Sequence, residues 1–391
     1  MDPRAAEKVQ GFGPSVFAEM SRLAVEHGAV NLGQGFPDFP GPEFVKDAAK
    51  RAIDEDLNQY AISHGHPRLR TALARDFASR FGREIDPDRE ISVASGATEV
   101  IFDAIQACIG PGDALVAFEP FYDSYAPATT MAGGEFRPVR LEPPDWSFDP
   151  DELRQQCGHG ACVLLLNTPH NPTGKVFTRP ELELIAEIAN ERDLIVLSDE
   201  VYDRILFHGC EHIPIWTLPG MWERTLTINS TGKTFSMTGW KVGYAIGPAG
   251  LNAALRVVHQ FVTFASATPF QEAMAVALEV APELGYYDQL AREYDERRIA
   301  LERALTEAGL PTLPIGGSYF LMADFSHLPY ATDVEFCRWL VTERGVAAVP
   351  PSAFYVDPAT APRLARFCFA KKISTLEEAG RRLRTESASH I

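Results

Sequence analysis

Lys233 is the residue of this chain whose setting most suggests covalent chemistry. It stands in Ser230-Thr-Gly-Lys233-Thr-Phe-Ser-Met-Thr-Gly-Trp-Lys241, after an apolar run that begins at Thr225 and ahead of a second cation, Lys241. An amine that is desolvated and near another positive charge loses its proton more easily, and can then form a Schiff base with an aldehyde cofactor. A lysine in a polar loop is otherwise simply solvated, so the reading depends on what else the chain supplies. Asp199, in Ser198-Asp199-Glu-Val-Tyr202, closes another apolar run. A carboxylate there is near the interior and needs a cation. A protonated pyridine nitrogen is one such partner, and the pairing would keep the ring an electron sink. Tyr202 could reach the same ring; a structural Asp–Tyr pair is the plainer alternative. Arg366, in Leu364-Ala-Arg-Phe-Cys-Phe, shares a strand face with Cys368 and reads either as a rim charge or as a bidentate carboxylate binder.

Two further stretches could hold the rest of a cofactor. Ser95-Gly96-Ala97-Thr98 joins an apolar run to a helical pattern. Its small residues let a phosphate approach backbone N–H groups at the positive end of a helix; a tight turn capped by Thr98 is the competing reading. Asn171 lies in Asn167-Thr-Pro-His-Asn171-Pro-Thr-Gly. Preceding a proline, it is held extended with its amide available, although Asn-Pro and Thr-Gly are also ordinary turn formers.

The elements that must position these residues follow from periodicity. From about Asp86 to Ile246, short apolar runs alternate with helical patterns, as in βαβ units around a mostly parallel sheet. Strands are expected at Ile91–Ala94, Ala114–Phe118, Ala161–Leu166 and Leu194–Ser198, with helices from near Ala97 and from Arg179. Ligands of doubly wound sheets sit beyond the carboxyl ends of the strands, which is where the polar residues cluster. The C-terminal part changes character: an amphipathic stretch over Tyr286–Glu307, a strand at Ser318–Met322, a helix over Asp333–Arg344 and a strand from Leu364 read as a smaller α+β domain. The expected division is a large domain over 41–284 and a small one made of 1–40 and 285–391.

Composition excludes several classes. With 391 residues and 46% hydrophobic content the chain is globular and long enough for two cores. A net charge of −17 without a basic run argues against nucleic-acid binding. No apolar run reaches membrane-spanning length and no apolar signal core opens the chain. Six scattered cysteines without a CxxC pair point to a reduced, cytoplasmic compartment. His208-Gly-Cys210-Glu-His212 has donors but reads as a turn, so no metal is expected. Gly11-Phe-Gly13 lacks the third glycine and the preceding strand of a dinucleotide fingerprint, and no basic helix-turn-helix extension suggests a DNA-binding regulator.

Taken together, Asn171-Pro-Thr-Gly, Asp199-Glu-Val-Tyr202 and Ser230-Thr-Gly-Lys233…Gly239-Trp-Lys241-Val-Gly resemble, in order and spacing, the class I aminotransferases of pyridoxal phosphate (PLP) fold type I. Asn31-Leu-Gly-Gln-Gly-Phe-Pro-Asp-Phe, Asn58-Gln-Tyr60, Glu119-Pro-Phe-Tyr-Asp and Gly220-Met-Trp-Glu-Arg-Thr-Leu-Thr-Ile are most similar to the kynurenine aminotransferase, glutamine transaminase K and cysteine-S-conjugate β-lyase group, and the likeness runs from about residue 10 to 385. The resemblance implies an α/β fold and ping-pong transfer of an amino group from an L-amino acid to a 2-oxo acid. Lys233 would bind PLP covalently and act as general base, Asp199 pair with the pyridine nitrogen, and Asn171 and Tyr202 hold the ring's phenolic oxygen. Tyr122 would stack on the ring, and Gly96, Ala97, Thr98, Ser230 and Lys241 hold the phosphate. Tyr60 would reach it from the neighbouring subunit of a homodimer. Arg366 and Gly35 would bind the substrate carboxylate, with Phe17, Phe264, Thr98 and Ala265 around its side chain. Animal members carry Trp and Tyr where this chain has Phe17 and Thr98, which leaves more room and favours methionine, glutamine or aromatic donors over kynurenine. The alternatives are N-succinyldiaminopimelate aminotransfer in lysine biosynthesis, which would want a distal cation such as Arg22, Arg68 or Arg256, and a β-lyase side activity.

Overall fold

A computed structural model of the chain describes residue 2, residues 4–13 and residues 16–384. Residues 1, 3, 14, 15 and 385–391, which belong to the expected small-domain span, lie outside the described residues.

Eleven strands occur among the described residues. In chain order they are β1 (Val30–Asn31), β2 (Ile91–Ser95), β3 (Ala114–Glu119), β4 (Glu135–Arg140), β5 (Ala161–Asn167), β6 (Ile195–Asp199), β7 (Thr225–Ser230), β8 (Val242–Ile246), β9 (Phe320–Asp324), β10 (Val346–Ala347) and β11 (Leu364–Cys368). Seven form one sheet in the order β2-β8-β7-β6-β5-β3-β4. Only β8 runs against its neighbours; the β3–β4, β3–β5, β5–β6 and β6–β7 pairs are parallel. The sheet is therefore α/β and mostly parallel, as expected. Its inner strands are largely buried because helices cover both faces: β3 and β8 are buried along their whole lengths.

The register carries the site. Asn167 pairs with Asp199, Ser95 with Val242, and Ser230 with Gly243. The carboxyl ends of β2, β5, β6 and β7 thus share one edge of the sheet, and the reversal of β8 brings its amino end, preceded by Lys241, to that same edge. Ala97–Cys108 begins as a helix directly after β2.

A separate apolar cluster gathers Met20 and Leu32 with Leu290, Leu301, Phe336, Phe367 and Leu376. There β9 pairs antiparallel with β11, and the short β1 pairs parallel with β10, which ties the N-terminal segment to C-terminal elements. One strand boundary differs from expectation. The run from Ser318 enters the strand only at Phe320, because Ser318 sits at φ 65° and its N–H donates to Ile205 O, outside the β9–β11 ladder. Tyr319 is thereby turned toward the cavity described next.

Candidate active site

A cavity of about 340 Å³ opens over the carboxyl edge of the sheet. Its lining includes Phe17, Gly35, Gly96, Ala97, Thr98, Tyr122, Asn171, Asp199, Tyr202, Ser230, Lys233, Lys241 and Arg366. Thirteen residues singled out from sequence, spread over some 350 positions, therefore meet in one place.

Lys233 lies in the one-turn helix Thr231–Thr234, whose N-cap Ser230 accepts a hydrogen bond from Gly232 N–H at 3.2 Å. The lysine Nζ donates to Tyr319 Oη at 2.9 Å, and Tyr319 Oη donates to Gly35 O at 2.5 Å. With its proton committed to Gly35, the phenol can only accept from the amine, so it anchors Lys233 without consuming its lone pair. Burial is the main cause that lowers the Lys233 pKa to about 8, with Lys241 and Arg366 adding to it. That places a base within reach of neutral pH.

Asp199 ends β6 and is buried. Oδ2 accepts from Tyr125 Oη at 2.5 Å and Oδ1 from Val201 N–H at 3.4 Å. Desolvation raises its pKa to about 6 despite these donors, so the carboxylate still lacks a full counter-charge. The tyrosine bonded to Asp199 is Tyr125, so the structural Asp199–Tyr202 pair, the plainer alternative, does not form; Tyr202 lines the cavity. Tyr125 opens the helix Tyr125–Ala132, three residues after Tyr122.

Arg366 is 1% exposed, so the rim-charge reading falls. Its guanidinium is caged by Phe320, Phe354 and Phe17, with ring centroids at 4.1, 4.9 and 5.1 Å. Nη1 donates to Asn171 Oδ1 at 2.9 Å and Nη2 to Gly33 O at 3.0 Å, while Nε is buried without a partner. Asn171 thus orients the arginine.

The residues suit PLP on two counts and an amino-acid substrate on a third. A phosphate at the amino end of the Ala97–Cys108 helix would meet Ser230 and the Lys241 amine; a Cβ on Gly96, which adopts φ 83°, would sit 2.9 Å from that amine. Gly243 is equally constrained, since a Cβ there would come within 2.3 Å of Gly96 C and Ala97 N, so only glycine lets β8 press Lys241 against this turn. The under-compensated Asp199 suits a pyridinium, and the orphaned Arg366 Nε suits a carboxylate.

Three expected residues, Tyr60, Phe264 and Ala265, lie outside this lining. Tyr60 is 84% and Phe264 41% exposed; they pack edge to face at 5.3 Å and do not line this cavity. Asp123, Phe36, Phe320 and Tyr319 were not read from the sequence. Each sits beside a residue that was, but only their packing reveals a role. The His208–His212 turn splits: His208 and Cys210 are exposed, and His212 is buried on Glu200 at 2.7 Å.

Comparison with known proteins agrees with this geometry. The profile of the family described as aminotransferase class I and II matches residues 27–383. A methionine aminotransferase of Escherichia coli is 41% identical, with 96% of this chain and 97% of the relative covered. Kynurenine–oxoglutarate transaminase 3 of Mus musculus is also 41% identical, covering 96% and 88%. The solved N-succinyldiaminopimelate aminotransferase of Mycobacterium tuberculosis superposes with a TM-score of 0.93 at 42% identity, covering 97% of this chain and 99% of that one.

Proposed function

The chain belongs to the aminotransferase class I and II family and is a PLP-dependent enzyme moving amino groups from amino acids to 2-oxo acids; from that premise we propose that its donors are L-amino acids with uncharged apolar, aromatic or amide side chains, such as methionine, glutamine and phenylalanine. The observation that carries this is the charge of the cavity wall. Beyond Lys233 and Lys241, Arg366 is the one cation among the described lining residues, and it is committed to one carboxylate. Phe17, Phe36, Tyr122 and Phe320 make most of the remaining wall, and Asp123 adds a negative charge that faces Arg366. A second substrate carboxylate has no partner there.

That weighs against the N-succinyldiaminopimelate alternative. Arg22 pairs with Glu26, Arg68 with Glu272 and Glu279, and Arg256 with Ser92 Oγ and the carbonyls of Asp88 and Ile91. None lines the cavity.

In this reading PLP, when bound, supplies an electron sink for the charge left when a Cα proton departs. Lys233 takes that proton and returns it, held by Tyr319. Asp199, Tyr202 and Asn171 orient the ring, Tyr122 covers its face, and Ser230, Lys241 and the Gly96–Thr98 turn hold the phosphate. Arg366 and Gly35 fix the substrate carboxylate. Tyr60 and Phe264 are supplied to the site of a second copy in a homodimer. Their exposure, with Phe261 86% and Val257 62% exposed on the neighbouring helix Ala249–Val262, supports a covered surface. The small domain is assigned to 1–40 with 285–391 and the large one to 41–284, and a cytoplasmic location suits six cysteines that are all free.

The test is the first half-reaction, followed by absorbance as single amino acids are added to the PLP-loaded protein. Rapid bleaching by methionine, glutamine or phenylalanine is expected. Bleaching by glutamate alone would overturn the donor class and move the lysine-pathway reading forward.

A further inference from the structure

Directly behind the Ser95–Thr98 turn lies a buried charged cluster that the reaction does not use. Glu99, in the first turn of the Ala97–Cys108 helix, accepts a short hydrogen bond from Ser95 N–H through Oε2. Its Oε1 accepts from Thr263 Oγ1 at 2.5 Å and faces His259 Nδ1 at 2.9 Å. The other ring nitrogen of His259 lies 2.9 Å from Ser63 O, which can only accept, so Nε2 carries a proton. Carboxylates face Nδ1 from both sides: Asp103 Oδ2 is 3.6 Å away, fully buried, and neither Asp103 oxygen has a hydrogen-bond partner. A histidine donating from both nitrogens is an imidazolium. Consistently, the carboxylates raise its pKa to about 9 against the opposing effect of burial. His64, from the loop beside Ser63, is held neutral by burial with a pKa of about 4.

The arrangement poses an electrostatic problem. Glu99 ties down the end of β2 and so shapes the turn on which a dianionic phosphate would rest, yet its own charge sits directly behind that turn. In a poorly screened interior a like charge close behind the turn weakens anion binding by roughly tenfold or more. We infer that His259 is a charge-compensating positioning residue for the PLP phosphate, neutralising Glu99 so that the carboxylate can hold the Ser95–Thr98 turn without repelling the ligand. The same residue joins this turn to the segments around Ser63 and Thr263, next to Tyr60 and Phe264, so one buried pair orders both. The inference rests on the assignment of the turn, Ser230 and Lys241 to the phosphate.

The experiment compares retention of PLP and of pyridoxal, which lacks the phosphate, when loaded full-length protein is diluted. Both aldehydes can join Lys233, so their ratio isolates the phosphate. His259→Gln is expected to lower the PLP-to-pyridoxal ratio about tenfold, and the double variant Glu99→Gln/His259→Gln to recover most of it, because the Glu99 charge has gone and burial, which already raises the Asp103 pKa to about 6, drives that carboxyl neutral once the histidine is lost. A purely structural role predicts further loss in the double variant, which would overturn the inference. Should His259→Gln fail to fold, the isosteric Glu99→Gln decides. In the parent protein the ratio falls between about pH 8 and 9.5 as His259 loses its proton. In Glu99→Gln, which removes much of what raised the histidine, that fall is absent from this window; an unchanged profile would overturn the inference. Loss of the parent ratio on dialysis against a chelator would do so too, by putting a metal rather than a proton between the carboxylates. If the parent retains both aldehydes equally, the phosphate assignment itself is what fails.

Discussion

The two halves of the cavity are built in different ways. The half assigned to the cofactor is made at strand ends: Ser95, Asn167, Asp199 and Ser230 close four strands of one sheet, and β-pairing sets their separations. The half assigned to the substrate is gathered from Phe17, Gly35, Phe36, Asp123, Phe320 and Arg366, no two of which share a strand pairing in the central sheet. Strand ends are rigid and repeat their geometry wherever the sheet forms. A wall collected from loops and a second apolar cluster can change residue by residue without disturbing that sheet. The contrast matches relatives that share this fold at about 41% identity yet carry the names of different donors.

If that division is right, changes in the first half strike turnover and changes in the second strike substrate choice. Lys233→Ala removes the base and is expected to lower kcat by about a thousandfold or more while the fold persists, checked by single-turnover rates and thermal melting. Turnover close to that of the parent would break the comparison at its root. Arg366→Lys replaces a planar fork by a point charge and leaves Asn171 Oδ1 or Gly33 O unsatisfied. KM for the amino acid should rise about tenfold to a hundredfold with a much smaller change in kcat; an equal fall in both would place Arg366 in the first half.

Tyr125→Phe takes the 2.5 Å hydrogen bond from Asp199. Because that bond opposes the upward shift caused by burial, its loss moves the Asp199 pKa further up, and the carboxylate is protonated at a higher pH. The acid limb of kcat should shift upward by about one pH unit, with binding of the amino acid little altered. Asp123→Asn is the mildest change. It removes the negative charge facing Arg366 and should improve glutamate relative to methionine by a few-fold in kcat/KM, with kcat for methionine nearly constant.

Much of this was legible from residues alone, for a physical reason. Lys233, Asp199, Asn171 and the Gly96–Thr98 turn are local features: each follows an apolar run within about five residues, so recognising the strand places the residue near its end. Arg366 could be read only as a choice between rim and site, since alternation along Leu364–Cys368 gives a face but not what packs against it. Its aromatic cage comes from positions 17, 320 and 354. Tyr319 was hidden for a similar reason, as the left-handed backbone at Ser318 breaks the alternation that would have set its direction.

The sequence by itself determined the α/β alternation, several of the central strands and the chemistry that the residues at their ends can perform, because hydrophobic periodicity and turn residues act over short spans. Tertiary structure alone decided that Tyr125, not Tyr202, bonds Asp199, that Asp123 opposes Arg366, and that His259 meets Glu99 across 160 positions. These are contacts between side chains from separate elements, and their sign and strength depend on burial. Burial is a property of the packed molecule, which no window of sequence contains.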